Sequence, residues 1–141
     1  MAQIDEIFFT VIGCMDGRCQ EAVADFGSKK FGAQYPDTIT EPGIVGKLAN
    51  NPSKELLDLL KEKLVISLEK HHSKGIIIDG HAECAGNPVS DDVHRDNIRV
   101  AVSVVASLIQ SQVPIAGVFL RRSPNQESTW EAEEIPLTVL V

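Results

Sequence analysis

The sequence predicts an α/β fold in which helices flank a mostly parallel central sheet of about four to five strands with an antiparallel edge strand. Apolar, strand-length segments alternate with amphipathic helical segments in the order β-α-β-α-β-α-β-β, which is typical of parallel strands joined by helices. The first segment, 6–13 (EIFFTVIG), is apolar at nearly every position, as expected of a strand buried on both faces. The length of 141 residues suits one domain, 1–141, with a single core.

The elements can be placed in order along the chain. The predicted strands, each bounded by turn residues, lie at 6–13, 36–40, 75–80 and 115–122, with further strand-like sequence at 128–141. The predicted helices, each with apolar residues at helical spacing, lie at about 19–30, 51–72 and 91–109. Segment 41–51 is expected to form a turn that includes one helical turn. Asn51 is expected to cap the second helix, with Pro52 in its first turn, and Pro136 should confine part of the last strand to an edge or a loop.

Composition and charge exclude several classes of protein. The net charge of -7 argues against nucleic-acid binding, which requires a basic surface. The apolar segments are too short to span a bilayer, and the N-terminus lacks the basic and apolar regions of a signal peptide. We therefore expect a cytoplasmic protein that binds neither nucleic acid nor membrane. In a reducing compartment the three cysteines are interpreted as ligands or free thiols rather than as a disulfide framework.

Two polar clusters follow two of the predicted strands. CMDGRC, which begins at Cys14, follows the first strand, and HAEC, which contains His81 and Cys84, follows the strand at 75–80. In parallel sheets the ligand site lies beyond the carboxyl ends of the strands. If these two strands are neighbours, both clusters open onto the same end of the sheet.

The residue types in these clusters indicate a zinc site. Cys14, His81 and Cys84 offer two thiolates and one imidazole, and three protein ligands leave a fourth tetrahedral position for water. Cys19 is the remaining cysteine, but it begins to turn away from Cys14 on the predicted helix and is interpreted as a bystander. Asp16 and Arg18 alternate with Cys14 in sequence, so that a guanidinium can hold a carboxylate ionised beside the metal.

These two motifs, C-M-D-G-R and H-A-E-C, resemble the C-x-D-x-R and H-x-x-C motifs of the β-class carbonic anhydrases, and the resemblance covers most of the chain. It implies a zinc ion (Zn²⁺) held by Cys14, His81 and Cys84, with Asp16 and Arg18 as the catalytic pair beside it. The implied reaction is the reversible hydration of CO₂ to bicarbonate by a metal-bound hydroxide. The resemblance also implies a homodimer or a higher homo-oligomer.

The chain departs from the family pattern at several places. Its first strand begins almost at residue 6, as in a minimal member that lacks the family's N-terminal helical arm. Gly17 replaces a common serine, Ala85 replaces a common glycine, and ITEPGIVGKLA replaces a segment that lines the substrate cavity.

Two other functions therefore stay open. One is hydrolysis of COS or CS₂ on the same scaffold, and the other is a non-catalytic zinc-binding or sensor protein. Among the remaining residues, Glu83 is interpreted as a solvated loop carboxylate or as one that lies near the metal. His94 is the alternative candidate for a proton shuttle or a residue at the site entrance.

Overall fold

The structure, a computed structural model, describes residues 5–137. Its strands are β1 (Phe8–Gly13), β2 (Tyr35–Thr40), β3 (Ile76–His81), β4 (Ile115–Ser123) and β5 (Gln126–Ile135). Its α-helices are α1 (Gln20–Phe31), α2 (Ile44–Ala49), α3 (Lys54–Val65) and α4 (Asp91–Leu108), and a π-helical turn, Ile66–Lys70, extends α3. Within 5–137, no helix combines the length and the apolar character needed to cross a membrane.

The strands form one five-stranded sheet in the order β2-β1-β3-β4-β5. β1 pairs in parallel with β2 and with β3, and β3 pairs in parallel with β4. β4 and β5 form an antiparallel hairpin, so that β5 is the antiparallel edge strand. The predicted fold class is confirmed. β1 and β3 are neighbours, and the chain segments that leave their carboxyl ends therefore start side by side.

Helices bury both faces of the sheet. Val11 and Ile77 point towards the face that α1 covers, whereas Ile12 and Ile78 point towards the face that carries α2, α3 and α4. Each of these four side chains is at most 1% exposed. Burial on both faces explains why β1 and β3 read as continuous apolar runs rather than as alternating ones.

The predicted cap of the second long helix is wrong. Asn51 has a φ of 54°, in the left-handed region, so that Asn51 and Pro52 form a turn before the helix. The cap is Ser53, whose extended backbone turns its hydroxyl oxygen to accept from the Leu56 N–H at 3.2 Å. The serine satisfies a backbone donor that the first turn of the helix would otherwise leave free.

Smaller differences concern the ends of elements. The predicted turn at 41–51 contains a six-residue helix, α2. The second long helix ends near the predicted position, but its last turn is π-helical and His71 caps it. β5 ends at Ile135, directly before Pro136, because proline has no N–H to donate to the ladder. The strand-like sequence predicted at 138–141 lies outside the described residues.

Candidate metal centre

Three side chains of the types that bind metals converge at the carboxyl ends of β1 and β3. Cys14 directly follows β1, His81 is the last residue of β3, and Cys84 lies in the turn that follows. All three are buried, and one possible ligand atom from each lies within 4.8 Å of the others. The structure therefore brings together the three residues that the sequence predicts as metal ligands.

The turn after β1 is held in place by a residue of α1. The Gln20 side-chain amide donates to the carbonyl oxygens of Cys14 at 2.9 Å and Asp16 at 2.8 Å. The backbone N–H of Cys19 also donates to the Asp16 carbonyl oxygen at 3.3 Å. These bonds fix the backbone that presents the Cys14 sulfur and the Asp16 carboxylate.

The donor atoms fit a zinc ion. The Cys14 and Cys84 sulfurs lie 3.8 Å apart, which is the separation of two thiolates on one tetrahedral zinc with Zn–S distances of about 2.3 Å. Nδ1 of His81 is 2.7 Å from the Ala82 carbonyl oxygen. Nδ1 therefore carries the proton, and Nε2 keeps its lone pair. Nε2 is buried and finds no hydrogen-bond partner among residues 5–137, which is costly unless it binds a ligand.

A cation would change the protonation of the buried Cys84 thiol. Burial raises the pKa of the Cys84 thiol, and the nearby Cys14 sulfur raises it further by a smaller amount. A divalent cation between the sulfurs would oppose both effects, because it stabilises the thiolate forms. The backbone N–H of Gly43 donates to the Cys14 sulfur at 3.5 Å, which also stabilises negative charge on that atom.

The segment that leads into α2 packs against the turn after β3, residues 82–87, which contains Cys84 and which we call the metal turn. Gly43 has a φ of 56°, and a Cβ at this position would overlap the backbone carbonyl of Gly86. Only glycine therefore allows this close approach, which brings the N–H of Gly43 to the Cys14 sulfur. The departure at Gly17 has no comparable effect, since a Cβ added there would meet no atom within 4 Å among the described residues.

Asp16 and Arg18 form a close ion pair beside these donors. Arg18 Nη2 donates to Asp16 Oδ2 at 2.7 Å and its Nε donates to Oδ1 at 3.1 Å, while the Arg18 backbone N–H donates to Oδ1 at 2.9 Å. The side-chain hydrogen bond from Arg18 is the main cause that lowers the pKa of Asp16 to about 2. Asp16 Oδ2 lies 4.0 Å from Nε2 of His81. An ionised carboxylate therefore stands next to the candidate ligands at any pH well above 2.

Arg18 also contacts Glu83, which the sequence analysis interpreted as a solvated loop carboxylate or as one near the metal, and Trp130, which it missed. Glu83 lies between the candidate ligands His81 and Cys84 in sequence, and its carboxylate oxygens accept from Arg122 at 2.7 and 3.2 Å. The Trp130 ring lies near both guanidinium groups, with centroid distances of 5.1 Å to Arg18 and 5.0 Å to Arg122. Arg122 and Trp130 are cross-strand partners in the β4–β5 hairpin. The sequence analysis could have identified Arg122 and Trp130 only from the pairing register of β4 with β5.

The other predicted candidates lie outside the cluster. Cys19 precedes α1, and burial raises the pKa of its thiol to about 12, so it remains protonated. His94 is 2% exposed, and burial lowers its pKa to about 4. A buried, neutral imidazole does not suit a shuttle at the site entrance, which argues against that alternative for His94.

A buried carboxyl that the sequence analysis did not single out lies on β3. Asp79 is 3% exposed, and burial raises its pKa to about 7, against a smaller opposing effect from the Cys14 backbone N–H. The strand 75–80 reads as apolar apart from this residue, and that break in the pattern was the available signal.

Comparison with known proteins identifies the family of the chain. A family model described as "Putative carbonic anhydrase" matches residues 4–135. The chain belongs to this family. No curated protein matches the chain by sequence.

Solved structures of β-carbonic anhydrases share the fold. The β-carbonic anhydrase isoform I of Trichomonas vaginalis aligns over 96% of this chain and 87% of its own, with 18% identity and a TM-score of 0.60. The carbonic anhydrase of Streptococcus mutans aligns over 96% and 87%, with 14% identity and a TM-score of 0.57. The β-carbonic anhydrase of Aspergillus fumigatus aligns over 94% and 78%, with 12% identity and a TM-score of 0.57. At these identities, the likeness establishes the fold.

Proposed function

We propose that this protein catalyses the zinc-dependent, reversible hydration of CO₂ to bicarbonate, with the net reaction CO₂ + H₂O ⇌ HCO₃⁻ + H⁺. The observation that carries the proposal is the buried convergence of the Cys14, His81 and Cys84 donors, with His81 Nε2 lacking a hydrogen-bond partner among the described residues. Membership of the carbonic anhydrase family supports it. In this proposal, Cys14, His81 and Cys84 hold the zinc ion.

In this proposal, different residues bind the metal ion and adjust its charge. When bound, zinc supplies a Lewis acid that lowers the pKa of water towards neutrality. The imidazole of His81 is held in one tautomer by the Ala82 carbonyl, so that Nε2 would offer its lone pair to the ion. The N–H of Gly43 withdraws charge from the Cys14 sulfur, and this opposes the weakening of the Lewis acid that two thiolates cause.

Asp16 orients the reacting water in this proposal. Its carboxylate stays ionised near neutral pH, so it can accept a hydrogen bond but cannot donate one. Accepting the O–H of the water turns an oxygen lone pair towards the carbon of CO₂. One carbon–oxygen bond would then form while one C=O π bond of CO₂ breaks, with its electron pair going to the oxygen of that bond, and one proton would leave to the buffer, which gives HCO₃⁻. Arg18 contributes by fixing the carboxylate through its side chain and its backbone N–H.

Metal analysis combined with stopped-flow kinetics tests the proposal. Protein purified without chelator should contain about one zinc per chain, and it should hydrate CO₂ faster than it hydrolyses COS. Protein free of zinc and unable to bind it would contradict the proposal. Zinc-containing protein that turns over COS but not CO₂ would contradict the assignment of the substrate.

We also propose that the protein assembles at least as a homodimer. The proposal comes from the resemblance of the C-M-D-G-R and H-A-E-C motifs to the β-class carbonic anhydrases. Light scattering coupled to size-exclusion chromatography measures the mass in solution. A mass of one chain, 15.3 kDa, at micromolar concentration would contradict it.

A further inference from the structure

The Arg18 guanidinium contacts a second group of residues in addition to Asp16. Its Nη2, which donates to Asp16, lies 3.3 Å from the Glu83 backbone carbonyl oxygen, and its Nη1 lies 3.5 Å from Glu83 Oε1. Its Cζ lies 5.1 Å from the centroid of the Trp130 ring. Arg18 is therefore held between Asp16 on one side and a set of groups from the metal turn and from β5 on the other.

Those groups are themselves held in place. Arg122 on β4 binds the Glu83 carboxylate in a two-pronged arrangement, with Nε to Oε2 at 2.7 Å and Nη2 to Oε1 at 3.2 Å. A third donor, Nη1 of Arg122, bonds the carbonyl oxygen of Glu127 at 2.6 Å, which anchors the guanidinium to the hairpin. We call Glu83, Arg122 and Trp130 the Arg18 support cluster.

The charges around the Trp130 ring and the backbone conformation of Glu83 both favour this arrangement. Two guanidinium groups lie near one indole ring, and the Glu83 carboxylate between them offsets their mutual repulsion. Glu83 adopts a φ of 60°, a left-handed conformation that is uncommon outside glycine. Strained backbone is typical of functional sites, and here it directs the Glu83 carbonyl to Arg18 within the metal turn.

We propose that Glu83 and Arg122 are positioning residues for the Asp16–Arg18 pair, and that Trp130 completes the support of the Arg18 guanidinium. An arginine side chain that is 43% exposed has many solvated rotamers. The support cluster restricts Arg18 to the rotamer that binds Asp16, and the Asp16 carboxylate is thereby kept 4.0 Å from His81 Nε2. The consequence for turnover rests on the proposed function, whereas the effect on Arg18 does not.

The test compares Glu83→Gln and Arg122→Gln with the control Arg121→Gln in the full-length protein as purified. Arg121 precedes Arg122 on β4, has a similarly exposed side chain and pairs with Glu131 and Glu133, away from the support cluster. The first readout is the rate at which the Arg18 Nε–H proton exchanges with water in NMR spectra, with the signal assigned from its loss in Arg18→Lys. The second is the emission of Trp130, the only tryptophan of the sequence. The third is the kcat and KM of CO₂ hydration, with zinc content measured on each sample.

Both test variants should exchange the Arg18 Nε–H proton faster than wild type and should alter the Trp130 emission, whereas Arg121→Gln should change neither. Their kcat should fall roughly 10-fold with little change in KM, as is typical when a group that orients the residues at a metal site is removed. A purely structural salt bridge would leave exchange at Arg18 and kcat unchanged. Unaltered exchange at Arg18 in either variant would overturn the proposal.

The outcomes separate this proposal from the proposed function. If the wild-type protein does not hydrate CO₂, the proposed function fails, and the exchange rate at Arg18 still decides whether the support cluster positions that residue. If Glu83→Gln disturbs the metal turn and loses zinc, Arg122→Gln decides the outcome, because Arg122 lies on β4 and not in the metal turn.

Discussion

Replacing Asp16 by asparagine removes the charge next to the metal centre and leaves the shape of the side chain almost unchanged. The carboxylate accepts three hydrogen bonds of 3.1 Å or shorter from Arg18, two from its guanidinium and one from its backbone. Asparagine can accept with one oxygen, but its amide group would oppose one of the Arg18 donors. We expect the variant to retain zinc and to lose most of its CO₂ hydration.

The pKa of Asp16 sets the scale of the effect on stability. Its lowering from 3.8 to about 2, mainly by the Arg18 side chain, corresponds to at most about 2 kcal/mol in favour of the ionised form. Solvent screens this pair, since the Asp16 side chain is 21% exposed, and we expect about 1 kcal/mol. This contribution is present above pH 3.8 and is lost as the pH falls towards 2. Asp16→Asn should therefore lower the stability by about 1 kcal/mol at pH 7, by less as the pH falls below 3.8, and by nothing well below pH 2.

The effect on turnover should be far larger. Loss of a group that accepts a proton or a hydrogen bond in the reaction typically costs roughly 100-fold or more. Stopped-flow CO₂ hydration, denaturant unfolding and zinc analysis on the same sample separate the two effects. Asp25→Asn is the matched control, because Asp25 pairs with Lys29 on the exposed side of α1. Normal turnover in Asp16→Asn, or loss of zinc, would refute this reasoning.

Three further substitutions test the surroundings of the site. Cys84→Ser should abolish tight zinc binding, because the hydroxyl is a poorer ligand than a thiolate; equilibrium dialysis that finds wild-type affinity would contradict this. Gly43→Ala should lower both the melting temperature and the zinc affinity, because its Cβ would overlap the Gly86 carbonyl; an unchanged melting curve would show that the turn adapts. Asp79→Asn should lose less stability than wild type as the pH rises from 4 to 8, because burial raises the pKa of Asp79 to about 7 and the wild type must ionise a buried carboxyl. The free energy of unfolding of the wild type should then fall over that pH range, and that of the variant should not. Parallel pH profiles of this free energy, measured by urea unfolding, would contradict the prediction.

Much of the fold followed from patterns that depend on local physics. Strands buried on both faces produce continuous apolar runs, and the runs at β1, β3 and β4 were predicted within two residues of their observed ends. The order of strands in the sheet could not be read from these runs. The site prediction therefore had to assume that β1 and β3 are neighbours. Their parallel pairing confirms this assumption.

Helix ends were less predictable because several capping residues compete. Asn51, Pro52 and Ser53 are each compatible with a helix start, and the left-handed backbone of Asn51 decides in favour of Ser53. The π-helical turn after α3 has no sequence signature that the periodicity of its leucines could reveal. Such ends depend on tertiary packing rather than on local preference.

The candidate site divides in a similar way. The predicted site residues fall into two short segments, one with Cys14, Asp16 and Arg18 and the other with His81 and Cys84. Because the residues of each segment are close in sequence, the sequence alone was enough to predict them. Arg122 and Trp130 come from a distant hairpin, and their contact with the site depends on the register of β4 with β5. A pair of that kind becomes visible only when the antiparallel register is known.

A titration of zinc-free protein with zinc, followed by stopped-flow CO₂ hydration at each step, tests the central claim most directly. The account predicts that activity rises in proportion to bound zinc, saturates at about one equivalent per chain and does not appear in Cys84→Ser. Zinc that binds at one equivalent without producing CO₂ hydration above the buffer rate would contradict it.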